Sequence, residues 1–288
     1  ANRRSSRRQS SLTRPLMASV DLNSAGLTAF PDLPPDVETL ELYANKIKKV
    51  PPSIGALTRL QVLNAFNNQI GLTLPNEIGT LSSLVEVNLA ANRLAVLKDA
   101  HFAAWGNVEV LNLNDNNLTS VGSLAPLTSL RELRLYGNQL SALPKLAATM
   151  AALAILEIHK NRIETAGAPD EYFEATPALE RLSIWGNQLT ELPSSLSSCP
   201  KLVGLQAQSN PLTSLPDGPW PTTLEALFLQ ETALQALPSS LQSCRRLRRV
   251  NIEGVGCDDR LAAALERLVV SKENGIFWDR RGGMRKGQ

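Results

Sequence analysis

An asparagine recurs at nearly constant spacing along most of the chain, and this recurrence constrains the fold more than any other feature. Each copy has an apolar residue five and three positions before the asparagine and another two positions after it, as in Leu40, Leu42, Asn45 and Ile47. The same offsets place Ala25, Thr232 and Val255 at the asparagine position of three outer copies. The pattern therefore predicts about eleven repeats of about 23 residues. The asparagines are Asn45, Asn68, Asn92, Asn116, Asn138, Asn161, Asn187 and Asn210.

Units of this length cannot bury their leucines alone, so neighbouring copies must stack and share one core. The leucine-any-leucine segment predicts a short strand whose two leucines point inward and whose intervening residues point outward. The asparagine amide can donate to and accept from the turn backbone, where no ladder partner exists. We therefore expect an elongated solenoid with a parallel sheet on its concave side and turns or short helices on its convex side.

Leu-Pro steps follow several of the repeats. With them, the pattern resembles leucine-rich repeat proteins, and in particular the intracellular type that includes the Ras-group members of animals and plants. The resemblance implies an α/β solenoid, a leucine-rich repeat horseshoe of about eleven repeats. It also implies a role in protein recognition, but it does not identify the partner. The Leu-Pro steps that carry the resemblance are Leu143-Pro144, Leu192-Pro193, Leu215-Pro216 and Leu237-Pro238.

The chain divides into four predicted regions. Residues 1–19 contain five arginines and no acid and are predicted to be a basic arm, whereas the repeats occupy residues 20–257. Leucines at helical spacing after Asp258 predict a C-terminal capping helix over residues 258–275. Residues 276–288 form a basic and aromatic tail. Ser10 follows Arg-Arg-Gln and is a candidate phosphorylation site.

Localisation is predicted from the cysteines and the arm. Cys199 and Cys244 occupy the same place two repeats apart, so about 10 Å separates them, which exceeds the roughly 7 Å limit for a disulfide. Cys257 takes a core position. Buried free thiols indicate a reducing compartment, and we expect the cytoplasm. An arm rich in Arg and Ser is also typical of targeting segments, so a mitochondrion or plastid is the alternative.

Catalysis, cofactors and metals are not expected. Phosphate-binding glycine loops are absent from the sequence, and neither His101 nor His159 has cysteine, histidine or carboxylate neighbours at metal-ligand spacing. No apolar run approaches the 18 residues or so of a membrane span.

One step in the repeat is longer than the rest, because 26 residues separate Asn161 from Asn187. This insert contains Tyr172 and Phe173. It predicts either a longer helix on the convex side or a second contact patch there.

Outward positions of the strands are the candidate binding surface, because curvature makes them an extended concave face. Four of the 13 aromatic residues stand in one outward column, two positions before the asparagine. Arg134 and Glu157 are beside that column, and exposed Trp, Tyr and Arg are enriched at binding hot spots. The alternative is that neighbouring rings only stack on one another. The candidate partner-binding residues are Tyr43, Phe66, Arg134, Tyr136, Glu157, His159, Trp185 and Phe228.

Two further features of this surface are open at the level of sequence. Asn64, Asn88 and Asn112 form either a hydrogen-bonding strip or only a polar one. His159 would give partner binding a pH dependence near 6.5, its ordinary pKa.

Two function classes fit these observations. The first is a non-catalytic interaction module that binds a partner protein or peptide on its concave face. The alternative is a structural subunit of a large assembly, ribonucleoprotein or organellar, anchored by its basic terminal arms. Nucleic acid would bind only through the arms. We do not expect the chain to form a homo-oligomer by itself.

Overall fold

A computed structural model describes residues 18–253, 255, 276–279 and 283–286 of the chain. The basic arm up to residue 17, with Ser10, lies outside the described residues, as do Cys257 and the predicted capping helix at 258–275. In the tail, strands β16 (Ile276–Asp279) and β17 (Gly283–Lys286) pair as an antiparallel hairpin.

Eleven short parallel strands form one sheet along the concave side, so the predicted solenoid is confirmed. Each strand has three residues, and the register is constant: Leu111 of one strand pairs with Leu133 of the next. A constant register lets equivalent side chains form columns across the sheet. In sheet order the strands are β1 Ser19–Asp21, β2 Thr39–Glu41, β3 Val62–Asn64, β5 Glu86–Asn88, β8 Val110–Asn112, β10 Glu132–Arg134, β11 Ile155–Glu157, β12 Arg181–Ser183, β13 Gly204–Gln206, β14 Ala226–Phe228 and β15 Arg249–Asn251.

Short helices and bridges connect these strands on the convex side. In the described residues all helices are 3₁₀ helices, a form used in short connecting pieces. Two small parallel pairs lie there as well, β4 (Gly71–Leu72) with β6 (Arg93–Leu94) and β7 (Val96–Leu97) with β9 (Ser120–Val121). The helices are η1 Pro52–Ala56, η2 Asn76–Thr80, η3 Asp99–Phe102, η4 Thr165–Gly167, η5 Tyr172–Ala175, η6 Ser194–Ser198 and η7 Ser239–Ser243.

The insert between Asn161 and Asn187 differs from the longer helix predicted for it, because it contains two separate short helices, η4 and η5. Gly167 lies where an added Cβ would come within 2.5 Å of the Ser141 carbonyl oxygen, and Pro169 follows it. Close packing on the preceding repeat and a proline together interrupt a continuous helix.

A single apolar core runs the length of the solenoid. From β2 to β15 of the concave sheet, the two inward positions of each strand segment hold buried apolar residues, as at Leu111 and Leu113, which are 0% and 1% exposed. Larger rings fill the space between sheet and convex turns, including Trp105 and Trp220. Each repeat contributes one layer to this core, so the repeats stabilise one another as neighbours.

The recurring asparagine joins each repeat to the one before it. Asn116 Oδ1 accepts a hydrogen bond from the Leu94 amide of the preceding repeat at 3.0 Å. Its Nδ2 donates to the Leu89 carbonyl of that repeat at 3.0 Å. Within its own repeat, Nδ2 lies 3.1 Å from the carbonyls of Leu113 and Asn114. All eight asparagines of the column make equivalent contacts. The predicted structural role of the amide is confirmed.

The residue before each asparagine adopts a left-handed conformation, which most side chains avoid. Ala91 has φ 52° and Asp115 has φ 51°. Such a conformation costs about 1–2 kcal/mol in a residue other than glycine. The amide contacts of the following asparagine hold the backbone in this turn.

Candidate functional site

Tyr136, His159 and Trp185 form a continuous aromatic stack on the concave face. They follow three adjacent strands, β10, β11 and β12, at the same offset. The ring centroids of Tyr136 and His159 are 4.4 Å apart at 14°, and those of His159 and Trp185 are 4.7 Å apart at 11°. The structure therefore brings these three predicted residues together, and it also contains the ring stacking that we gave as the alternative.

Stacking determines which parts of the rings face solvent. Both faces of His159 are covered by its neighbours, and Lys160 Nζ lies 5.0 Å from the Trp185 ring centroid. All three rings are half-buried. In the described part of the chain, neither the Tyr136 hydroxyl nor Trp185 Nε1 makes a hydrogen bond. The stack thus offers ring edges with two polar groups that a partner can use.

His159 is held in place by a hydrogen-bond chain across the sheet. Its Nδ1 lies 3.1 Å from Ser183 Oγ, which in turn donates to Gln206 Oε1 at 3.0 Å. With the serine hydroxyl used in this way, Nδ1 carries the proton. Burial between the two rings, followed by the nearby Lys160 charge, lowers the pKa of His159 to about 4. The predicted pH dependence near 6.5 is therefore wrong for the free protein, because this imidazole is already neutral well below that pH.

Arg134 and Glu157 lie beside the stack and pair with each other. Arg134 Nε is 3.3 Å from Glu157 Oε2, and the same guanidinium contacts Glu132 of its own strand. The side chains of Arg134 and Glu157 are 35% and 33% exposed. A pair this exposed contributes roughly 0–1 kcal/mol, so it can exchange for contacts with a partner at small cost.

The remaining predicted residues do not join this group. Tyr43 and Phe66 make a second stack, with centroids 5.3 Å apart at 6°. Ala90 and Asn114 interrupt the column between the two stacks, and both are buried. Phe228 lies in the other outward column, two strands beyond Trp185. The predicted surface therefore consists of separate patches.

The strip of Asn64, Asn88 and Asn112 has a local structural role. Each Oδ1 accepts a hydrogen bond at 3.2 Å from the amide two residues later, on Phe66, Ala90 and Asn114 respectively. Such contacts shape the turn at the end of a strand. These oxygens are therefore already used inside the chain.

The convex patch suggested by Tyr172 and Phe173 is turned inward. Phe173 is 2% exposed, and the Tyr172 hydroxyl donates to the Pro144 carbonyl at 3.0 Å. Burial raises the pKa of Tyr172. A cavity of about 550 Å³ lies beside this tyrosine, but the two rings themselves contribute to packing.

Other reactive groups of the described chain are also buried. His101 is 1% exposed, and its Nδ1 accepts a hydrogen bond from the Lys98 amide at 3.1 Å. Cys199 and Cys244 are free thiols, and burial raises the pKa of Cys199 to about 11. Thiols of this kind are unreactive.

Within residues 18–253 and the tail hairpin, no three His, Cys, Asp or Glu residues are grouped as metal ligands. No helix among the described residues is long and apolar enough to cross a membrane.

One feature of the concave face was missed in the sequence. A cavity of about 480 Å³ opens over strands β11 to β15, on the same face as the aromatic stack. Its signal is present in the repeat alignment, where the first strand positions are Arg181, Gly204, Ala226 and Arg249. Two small residues between two arginines leave a space that only the register reveals.

Comparison with known proteins places the repeats among known sequence families. A family described as "Leucine rich repeat" matches residues 82–140, and a second model of that description matches residues 59–81 and 178–199. Human podocan-like protein 1 is 31% identical over 71% of this chain and 45% of its own length. Asporin of Bos taurus is 28% identical over 46% of this chain and 36% of its own length. The chain thus spans less than half the length of either relative.

Solved structures show the same architecture. A leucine-rich repeat protein of Leptospira interrogans is 26% identical with a TM-score of 0.62, over 80% of this chain and 64% of that one. A chain in the octameric complex of Latrophilin 3, Unc5D and FLRT2 is 25% identical with a TM-score of 0.65, over 84% of this chain and 77% of that one. The leucine-rich repeat domain of APL1B is 19% identical and shows the fold alone, with a TM-score of 0.66 over 94% of both chains.

Proposed function

The chain is a leucine-rich repeat protein, and we propose that it is a non-catalytic interaction module that binds a partner protein or peptide on its concave face. The aromatic stack of Tyr136, His159 and Trp185 carries this proposal. Aromatic residues are only 5% of the chain, yet three ring side chains from adjacent strands meet here with Arg134 and Glu157 beside them. Trp, Tyr and Arg are the residue types that dominate binding energy at protein interfaces.

Rigidity strengthens this assignment. The rings are fixed by stacking, and the hydrogen bonds from His159 to Ser183 and from Ser183 to Gln206 fix the central ring further. A side chain that is already ordered loses little conformational entropy when a partner covers it, whereas a free one costs about 0.5–1.5 kcal/mol. The stack is thus prepared for binding before a partner arrives.

The architecture supports the same function. Leucine-rich repeat domains typically serve protein–protein interaction, and the FLRT2 structure above is a complex of this domain with other proteins. The interface for this chain would be the outward columns of the sheet, since solenoid curvature makes that side an extended surface.

The test begins with the capture of partners by the wild-type protein, identified by quantitative mass spectrometry. Each identified partner is then titrated by calorimetry against the double variant Tyr136→Ala, Trp185→Ala. We expect affinity to fall by at least thirtyfold, since truncation of one hot-spot residue costs about 2–4 kcal/mol. The matched control is Leu72→Ala, Val96→Ala, which removes two exposed apolar side chains from the convex side.

Melting temperatures of both variants must remain near that of the wild type. Partner affinity that survives in the folded double variant would contradict the proposal. A loss shared equally by the control variant would do so too, because it would not be specific to the concave face.

We also propose that the protein works inside the cell, in a reducing compartment, and resembles the Leu-Pro type of repeat. Free buried Cys199 and Cys244 support this, together with the Leu-Pro steps named above. Fractionation of cells that express the tagged full-length protein measures its location directly. Recovery in the cytosol agrees with the proposal, recovery in a mitochondrion or plastid supports the organellar alternative, and secretion contradicts both.

A further inference from the structure

Two neighbouring strands of the concave sheet begin with almost no side chain. Gly204 of β13 and Ala226 of β14 lie side by side in register, between Arg181 of β12 and Arg249 of β15. The result is the cavity of about 480 Å³ described above. Its opening is on the same face as the aromatic stack, and Arg181 and Trp185 belong to one repeat.

The fold does not require glycine at position 204. Gly204 has no positive φ, and a Cβ added to it would meet only Ala226 Cβ at 4.0 Å, an ordinary contact. By contrast, a Cβ on Gly79 would come within 1.8 Å of a backbone oxygen. Glycine weakens a strand, so its consequence at this position is the space that it leaves.

Two arginines without an acidic partner border this space. In the described chain, neither Arg181 nor Arg249 has an acidic group within 4.0 Å, and both are exposed. Of the two glutamates that line the cavity, Glu157 is paired with Arg134 and Glu225 is not paired with a cation. The lining thus carries two arginines without an acidic partner and two glutamates, and the two glutamates repel a phosphate dianion more strongly than they repel a monoanion.

Apolar surface is available beside the arginines. Phe228 and Ala226 line the cavity, as does Val203. The two arginines lie three strand steps apart, or about 14 Å between Cα atoms, and the small residues between them hold no side chain that would keep the guanidinium groups apart. Arginine binds a carboxylate through paired N–H donors.

We infer that the Gly204 cavity is a specificity pocket for an acidic side chain, glutamate or aspartate, that stands next to an apolar residue in a partner peptide. The carboxylate accepts hydrogen bonds from Arg181 and Arg249, and the apolar neighbour packs on Phe228. This inference rests on the proposed function, since it assigns one contact of the same partner on the same face.

The probe is the dipeptide acetyl-Phe-Glu-amide, titrated into full-length protein labelled with ¹⁵N at arginine. We expect saturable shifts of the Arg181 and Arg249 Nε–H signals. Acetyl-Phe-Gln-amide, which lacks only the charge, should bind at least tenfold more weakly. Inorganic phosphate at the same concentration should also bind more weakly, and phosphate binding tighter than the peptide would overturn the carboxylate assignment.

Three variants test the location. Gly204→Val fills the cavity, and Arg181→Gln with Arg249→Gln removes its charges; each should weaken the probe at least tenfold while the melting temperature holds. The matched control is Arg245→Gln with Arg246→Gln, the same charge change at exposed residues that do not line the cavity, and it should change affinity less than twofold.

The variant Tyr136→Ala, Trp185→Ala separates this inference from the broader proposal, because it should leave probe affinity within twofold. Full probe affinity in Gly204→Val, or no binding to the wild type, overturns the pocket and leaves the aromatic stack to be judged by its own experiment.

Discussion

Repeats in the middle of the solenoid and the repeat near its C-terminal end share a backbone but differ in how they are joined. Asp115 and Glu231 hold the same turn position, with φ 51° and φ 58°. In the central repeat the next residue, Asn116, bonds to the preceding repeat through both ends of its amide. In the later one Thr232 Oγ1 makes one hydrogen bond, at 2.8 Å, to the Leu229 carbonyl of its own repeat.

The lost contact can be located. Leu212 is equivalent to Leu94, whose amide donates to Asn116. Leu212 is 0% exposed, and in the described chain no hydrogen bond from its amide is found. A buried unpaired amide costs about 1–3 kcal/mol. The comparison teaches that stacked leucines are enough to continue the fold, whereas the asparagine fixes one repeat to the next.

The largest expected effect follows from removing the asparagine amide in a central repeat, where it bonds to the preceding repeat through both its oxygen and its nitrogen. Asn116→Leu should lower the free energy of unfolding by about 1–3 kcal/mol, because it leaves the buried Leu94 amide unpaired and removes one of the two hydrogen bonds to the Leu89 carbonyl. Urea unfolding followed by circular dichroism measures the change. The neighbouring Asn117 is exposed, so Asn117→Leu serves as the control and should change stability by less than about 0.5 kcal/mol. Equal values for the two variants would refute a structural role for the column.

The second prediction concerns adding an asparagine where the repeat near the C-terminal end has Thr232. Thr232→Asn should raise the free energy of unfolding by about 1 kcal/mol, the usual net gain for one or two new hydrogen bonds. Hydrogen exchange at the Leu212 amide should slow at the same time, since that amide acquires an acceptor. Thr232→Val, which removes the hydroxyl and keeps the shape, is the control and should slow nothing. Unchanged exchange at Leu212 in Thr232→Asn would show that the two regions do not differ in the way described.

The asparagine contacts between neighbouring repeats were predictable from sequence because they depend on local backbone geometry, which repeats every 23 residues or so. Asn116 could be placed in a turn from its offset to Leu111 and Leu113 alone. The two short helices of the insert could not, because their break depends on how closely Gly167 approaches the preceding repeat.

The site was predictable only in part for a similar reason. The column of Tyr136, His159 and Trp185 follows from the register, but the low pKa of His159 depends on how its neighbours stack. The cavity at Gly204 was missed because a small residue carries no signal until its strand neighbours are known.

Acid should destabilise the central repeats, which contain both histidines of the chain. His101 lies in the central part, where burial first and the Lys98 charge second lower its pKa below the ordinary value of 6.5. A histidine with a lowered folded-state pKa contributes its full stability above about pH 6.5 and loses it as pH falls below that value toward the folded-state pKa. Between pH 7.5 and pH 5 we therefore expect the melting temperature to fall by a few degrees.

The variant His101→Gln should show a smaller fall over the same range, because it removes one of the two titrating imidazoles and keeps an acceptor for the Lys98 amide. His159, whose pKa is also lowered, contributes to the fall that remains. A melting temperature that is independent of pH in the wild type would contradict the neutral, buried state of His101.

The smallest expected effect tests whether the central repeats and the repeat with Thr232 differ in stability because of backbone strain or because of the asparagine hydrogen bonds. Ala91 precedes Asn92 with φ 52°, and Glu231 precedes Thr232 with φ 58°. Glycine at either position relieves a left-handed conformation that costs about 1–2 kcal/mol, and it gives back roughly 0.5–1 kcal/mol through the freedom of the unfolded chain. Ala91→Gly and Glu231→Gly should therefore each stabilise by less than about 1 kcal/mol and agree within about 0.5 kcal/mol, since the exposed contact of Glu231 with Ser209 contributes little. Agreement would assign the difference between the regions to the asparagine. A much larger gain for Glu231→Gly would instead mean that the turn near the C-terminal end is strained because no amide holds it, and strain would then replace the missing hydrogen bonds as the cause.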